Sequence, residues 1–166
     1  MQTFEIIVES PKATQAKYKF DELSNSFKLK KLLPLGMVFP YDFGFIPGTK
    51  GEDGDPLDAL VLSEFASFTG AHLKCRVIGA LKAEQKEKGN KAVRNDRFFC
   101  IPEGSITFAT INSISQLGKE HNEQIEEFFI NYNKVENKKF TSLGIIDAAK
   151  AVDMILKNDF KLVRTG

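Results

Sequence analysis

Tryptophan is absent from this chain of 166 residues, and histidine and cysteine occur only twice each. With His72 and His121 the sole imidazoles, most zinc sites and most Ser-His or Cys-His nucleophilic arrangements are excluded. Cys75 and Cys100 each lie inside an apolar, strand-like run, a placement that fits buried reduced thiols and not a disulfide framework. No run of eighteen apolar residues occurs, and the opening MQTFEIIVES has neither a basic start nor an apolar stretch of signal-peptide length, so the expected address is cytoplasmic. Charge of one sign is lacking too: 23 Lys and Arg against 22 Asp and Glu give a net +1. Without a global field, and without Trp or a basic-aromatic stripe, neither nucleic acid nor a membrane surface is an expected partner, and anion binding must come from a local cluster. Linkers, repeats and low-complexity segments are missing as well, so residues 1–166 are expected to form one domain, 42% hydrophobic and able to build a core.

What the chain does have is concentrated between Phe39 and Leu62. Asp53, Asp55 and Asp58 fall within six residues, separated by Gly54 and Pro56. Carboxylates crowded on a turn cannot relax their repulsion along a helix, and a bound cation is the natural reason for the crowding. Hard cations such as Mg²⁺ need only one or two carboxylates and keep several waters. Gly54 lets the backbone turn, and Pro56 holds the turn open between extended flanks. The competing reading is a solvated acidic turn. Against it, the apolar run Ala59 to Leu62 follows at once and puts Asp58 at the mouth of a strand. An EF-hand is excluded: Asp53, Asp55 and Glu64 match its first, third and twelfth positions, but its obligatory glycine position holds Asp58, and Phe43-Gly44-Phe45-Ile46-Pro47-Gly48 cannot be an entering helix.

Along the chain, strands are expected at Phe4 to Val8, Tyr18 to Phe20, Phe27 to Leu29, Ala59 to Leu62, Leu73 to Leu81 and Arg97 to Ile101. The polar segment from Lys82 to Asn95 reads as an exposed hairpin or loop. The last third changes period. Ile125, Phe128, Phe129, Tyr132 and Val135 trace a helix with Asn122 as its N-cap, and Ala148, Val152, Ile155 and Leu156 trace a second, with Asp147 near its start and Asn158 near its end. Many short strands followed by two helices give an α+β fold, mainly β, with a barrel and helices packed on it.

The run Phe39-Pro40, Phe43-Gly44-Phe45-Ile46-Pro47 and Asp53-Gly54-Asp55-Pro56-Leu57-Asp58 resembles the signature of the soluble family I inorganic pyrophosphatases, and the likeness extends more weakly from about Phe4 to about Lys157. The resemblance implies a five-stranded OB-like barrel with flanking helices, Mg²⁺-dependent hydrolysis of pyrophosphate, and a homodimer or homohexamer. The high phenylalanine count, fifteen, permits an apolar contact surface for such assembly. Carried over by position, the resemblance makes Asp53 and Asp58 metal ligands and Asp55 the carboxylate that receives the proton of the attacking water. It places Glu9, Lys17 and Tyr132 in the substrate pocket.

Other positions depart from the pattern. Lys19 stands where the family has a glutamate, Lys31 where it has an arginine, and Phe43 where it has a tyrosine. The acidic pair that completes the family's metal cluster is matched by Gln85 (or its neighbour Glu84) and Asn95, the lysine after it by Arg97, and a later lysine by Asn133. Gln85 and Asn95 can offer a metal an oxygen but no charge. Asp96 could supply the missing acid only if a bulge turned it, since one step along a strand reverses the face. Lys31 and Arg97 keep the phosphate wall cationic. The departures open an alternative: a catalytically inactive relative that binds a phosphorylated ligand or partner through Lys17, Lys31 and Arg97.

Overall fold

In the computed structural model, residues 2–160 are described. Among the described residues nine strands run in chain order: β1 (Thr3–Ser10), β2 (Ala16–Asp21), β3 (Ser26–Leu32), β4 (Asp42–Ile46), β5 (Leu57–Val61), β6 (His72–Glu87), β7 (Val93–Arg94), β8 (Arg97–Pro102) and β9 (Lys138–Asp147). A 3₁₀ turn at Ile114–Leu117 leads into helix α1 (Lys119–Val135), and helix α2 (Ala148–Lys157) follows β9. β1 pairs with β4, β4 with β5, β5 in parallel with β8, β8 with β6, and β6 returns to β1. Five strands therefore close a ring, which leaves no free edge among them.

The ring can close because β6 is sixteen residues long and bent by irregularities between Val77 and Gly79 and between Leu81 and Ala83. Its first part pairs with β1, and its end leaves the ring to pair with β9. Close approach of β1 and β4 fixes Gly44: a Cβ there would lie 2.1 Å from the Ile7 carbonyl oxygen. Opposite the ring stands a separate two-stranded ribbon, β2 and β3. It is tied to β1 by Tyr18 N–H donating to Ser10 Oγ at 3.0 Å and Phe20 N–H donating to Glu9 Oε1 at 2.8 Å.

Two clusters make the core. Ile125, Phe129 and Tyr132 of α1 press on Phe39, Phe43 and Leu60, while Ala151 and Ile155 of α2 cover Ile6 and Val77. Burying side chains of this size contributes roughly 1.5–3 kcal/mol each, the main drive for docking both helices.

The sequence expectations hold for the strands named above and for both helices; β4 and the two-residue β7 were not among them, and three further differences stand out. Helix α1 starts four residues earlier than expected, with Gly118 and not Asn122 at the N-cap position, and Asn122 lies in its first turn, donating to the Ile114 carbonyl at 3.1 Å. The segment from Lys82 to Asn95 is the hairpin of the two expected forms, β6 running on to Glu87 and pairing with β7, but it is not all exposed: Ala83 is fully buried, and exposure begins at Lys86. Strand β9 was not expected at all, because Phe140 is its single buried residue and its pattern has no alternation. Asp147 is the N-cap of α2, accepting from Lys150 N–H at 2.9 Å, and Asn158 closes the helix.

Candidate active site

The loop from β4 to β5 carries the aspartates and is built by its own backbone. Thr49 Oγ1 donates to the Ile46 carbonyl at 2.6 Å and accepts from Leu57 N–H at 3.0 Å, pinning the two strand ends together. Gly51 N–H reaches the Asp55 carbonyl at 2.8 Å, and Asp53 Oδ1 accepts from Asp55 N–H at 3.1 Å, an Asx turn. Gly54, at φ +87°, occupies the left-handed region this turn requires. Asp58 then enters β5 in register with Phe45 on one side and Arg97 on the other.

Between this loop and the β2–β3 ribbon lies a cleft of about 540 Å³. Glu9, Lys17, Asp53, Asp55, Asp58, Gln85, Asn95, Arg97 and Tyr132 all line it, brought together from β1, β2, β5, β6, β8, α1 and two loops. Lys31 stands behind Lys17: both ammonium groups meet Glu136 Oε1, at 3.0 and 2.9 Å. Asp96 is not brought in. Its carboxylate is buried away from the cleft, accepting from Ala83 N–H at 2.9 Å and Arg94 Nε at 2.5 Å. No bulge turns it back, and the strand's alternation gives the cleft Asn95 and Arg97 instead.

Arg97 is buried to 1% exposure. Nη1 lies 3.0 Å from Asp58 Oδ2 and donates to the Asn95 carbonyl at 2.7 Å, while the guanidinium sits 5.1 Å from the Phe129 ring centroid and 5.9 Å from that of Phe43. Phe43 thus provides a face for the guanidinium. Tyr132 is both a core residue and part of the cleft wall. Its ring stacks on Phe128 and tilts against Phe39, and Lys17 Nζ rides 5.3 Å above it. Burial, then the nearby Glu136 carboxylate, push its hydroxyl well above the ordinary range, so it stays protonated at neutral pH and can donate a hydrogen bond.

The acids feel their burial. Desolvation raises Asp53 and Asp58, with Arg97 opposing, and lifts Glu9 to about 7 against the Phe20 N–H bond. Gln85, Asn95 and Asn133 form a neutral chain: Asn95 Nδ2 donates to Gln85 Oε1 at 3.0 Å, Gln85 Nε2 to Asn133 Oδ1 at 2.6 Å, and Asn133 Nδ2 to the Phe129 carbonyl at 2.8 Å.

Glu136 has a clear part in this geometry that was not foreseen, and Lys19, which stands in place of the family's glutamate, has a partner that was not. Glu136 gathers Lys17 and Lys31, but it lies one residue beyond α1, outside any periodic signal. Lys19 Nζ meets Asp55 Oδ2 at 2.6 Å; its alternation with Lys17 on one strand placed it on the same face and could have flagged it.

Among the described residues no three His, Cys, Asp or Glu side chains converge closely enough to hold a metal ion by themselves. The donor chemistry nevertheless fits a hard divalent ion that keeps its waters. Asp53, Asp55 and Asp58 each have one oxygen outside the contacts named above, and all the donors are oxygen.

Carboxylates on one wall and ammonium and guanidinium groups on the other define a site for a compact polyanion met by hard cations. The comparisons agree with that class. A family model described as inorganic pyrophosphatase matches residues 6–161. An inorganic pyrophosphatase of a Synechocystis species is 33% identical over 150 residues, 90% of this chain and 86% of its own. The solved inorganic pyrophosphatase of Helicobacter pylori superposes with a TM-score of 0.86 at 28% identity, covering 99% of this chain and 95% of its own, and that of Thermus thermophilus with 0.85 at 27%, covering 98% and 91%. The chain belongs to the inorganic pyrophosphatase family.

Proposed function

We propose that this chain hydrolyses inorganic pyrophosphate to two phosphates with Mg²⁺ as cofactor. The observation that carries the reading is the cleft itself, which gathers Asp53, Asp55 and Asp58 with Lys17, Arg97 and Tyr132 around a space that admits a diphosphate. Asp53 and Asp58 are the residues to hold a divalent ion; its chemistry is neutralisation of phosphate charge and acidification of bound water. Lys17, Arg97 and Tyr132 orient the anion, and Lys31, sharing Glu136 with Lys17, keeps that wall positive. The water oxygen attacks one phosphorus, Asp55 takes the water's proton, and the bridging P–O bond breaks so that the second phosphate leaves with its electron pair. Glu9 fixes the ribbon over the site through Phe20 N–H.

One observation favours a second reading, an inactive binding module: the Asn95–Gln85–Asn133 chain satisfies itself and offers no charge. Conversion of pyrophosphate followed by ³¹P NMR separates the two. The enzyme reading expects multiple turnovers that stop on chelation; a spectrum unchanged over many equivalents of pyrophosphate with Mg²⁺ overturns it. The reading extends to a single domain in the cytoplasm that assembles as a homo-oligomer, dimer or hexamer, and a monomer mass by light scattering at micromolar concentration contradicts that last part. Among the described residues no helix is long and apolar enough to cross a membrane.

A further inference from the structure

Two of the three loop carboxylates already hold a cation that belongs to the chain. Arg97 on Asp58 is buried and braced by two rings, a fixed part of the fold. Lys19 on Asp55 is different in kind: its side chain is 40% exposed, that of Asp55 is 50% exposed, and the contact is 2.6 Å. An ion pair this open is worth little on its own and exchanges readily for a stronger partner. Both groups line the cleft, and Lys19 shares its strand face with Lys17. Charge counting points the same way. Where Gln85, Asn95 and Asn133 meet, the cleft wall is neutral and its hydrogen bonds are closed, so beside it the negative potential available to cations comes chiefly from Asp53, Asp55 and Asp58, with Glu9, Asp21, Glu22 and Glu136 lining the rest of the cleft. A divalent ion approaching Asp55 must displace, or sit against, an ammonium already there, and like charges at such range repel strongly.

We infer that Lys19 is a resident counter-ion of Asp55, excluding a divalent ion from that carboxylate in the empty cleft and transferring to phosphate oxygens when a phosphate anion enters. Transfer is the step that matters for chemistry, because it leaves Asp55 free of its ammonium partner as substrate arrives. The inference rests on the proposed site but is tested apart from turnover. Lys19 is a positioning residue for Asp55 and a cation for the anion, within reach of both from a flexible four-carbon stem.

The test counts Mn²⁺ bound per chain by electron paramagnetic resonance, without substrate, for the natural protein, Lys19→Gln, Lys19→Met and Lys19→Arg. The expected result is one additional Mn²⁺, or affinity about tenfold tighter or more, in both neutral variants, because a like charge beside the ion has been removed. Lys19→Arg should restore the natural count. Inorganic phosphate, titrated in the same proteins by calorimetry, should bind about tenfold more weakly to the neutral variants, the loss of one charged contact. Mn²⁺ count and affinity unchanged in both neutral variants, or phosphate affinity unchanged, overturns the inference; a circular dichroism spectrum matching the natural chain in either neutral variant is enough for the comparison to stand. Since no measurement here depends on hydrolysis, a protein that fails to turn over pyrophosphate yet shows the Mn²⁺ shift refutes the enzymatic reading and keeps this one.

Discussion

Replacing Gln85 by Glu changes one atom of the side chain, an amide nitrogen for an oxygen, and the amide chain makes the consequence large. Gln85 Nε2 donates to Asn133 Oδ1 at 2.6 Å, so the variant places a carboxylate oxygen against an acceptor. Asn133 cannot escape by rotating its amide, because Nδ2 is held by the Phe129 carbonyl at 2.8 Å and the residue is 1% exposed. The cost is a hydrogen bond, about 0.5–1.5 kcal/mol net, plus a buried acceptor left unsatisfied, about 1–3 kcal/mol. Because Gln85 itself is only partly buried, the lower halves apply and the sum is about 2 kcal/mol. For a domain of this size that is a fall in Tm of about 4–8 °C near neutral pH. The sign with pH follows from the new carboxyl: facing an acceptor raises its folded pKa, so the penalty is full above that value and fades as pH falls toward its unfolded value of about 4.3, where the protonated acid can donate as the amide did. Adding Asn133→Lys supplies a cation in place of the acceptor and should recover more than about 1 kcal/mol as coupling between the two sites. Melting curves at pH 7 and pH 4.5, each referenced to the natural chain at the same pH, give the answer. A Tm within about 1 °C of natural at pH 7, or an equal loss at both pH values, refutes the reasoning.

Other outcomes can be stated briefly. Arg97→Met should cost about 3–5 kcal/mol in urea denaturation by leaving Asp58 buried without its partner, and adding Asp58→Asn should return part of that loss. Gly44→Ala should cost about 3 kcal/mol, at the upper end for overpacking, since its Cβ would meet the Ile7 carbonyl at 2.1 Å; a Tm unchanged by it means β1 and β4 are not this close. Glu64 is held at about 2 by Ser105 Oγ and Ile106 N–H, so its contribution is complete above about 4.5 and is lost as pH falls toward 2; the gap between the natural chain and Glu64→Ala should close over that window in acid denaturation.

Much of this architecture was legible in the chain because apolar runs such as LKCRVIGAL and the three-and-four spacing from Ile125 to Val135 report burial directly. Strand β9 was not, since it borrows its stability from pairing with β6 while exposing most of its side chains. The same logic separates the site residues. The aspartates announce themselves by crowding on one turn, whereas Glu136 acquires its part only when the ribbon meets the end of α1, and Lys19 its partner only when the ribbon meets the Asp55 loop, contacts that local sequence does not encode. Asp96 is the candidate ligand that the fold leaves out: strand parity turns it from the cleft, and the bulge that would have brought it back is not there.

The most direct test of the central claim is the rate of phosphate release from pyrophosphate in Mg²⁺ for the natural chain and for Asp55→Asn, with inorganic phosphate binding measured on both. Loss of the proton acceptor should lower kcat by about a hundredfold or more while phosphate still binds, as expected for a residue that acts on the attacking water. Release that proceeds at the natural rate in Asp55→Asn contradicts the account.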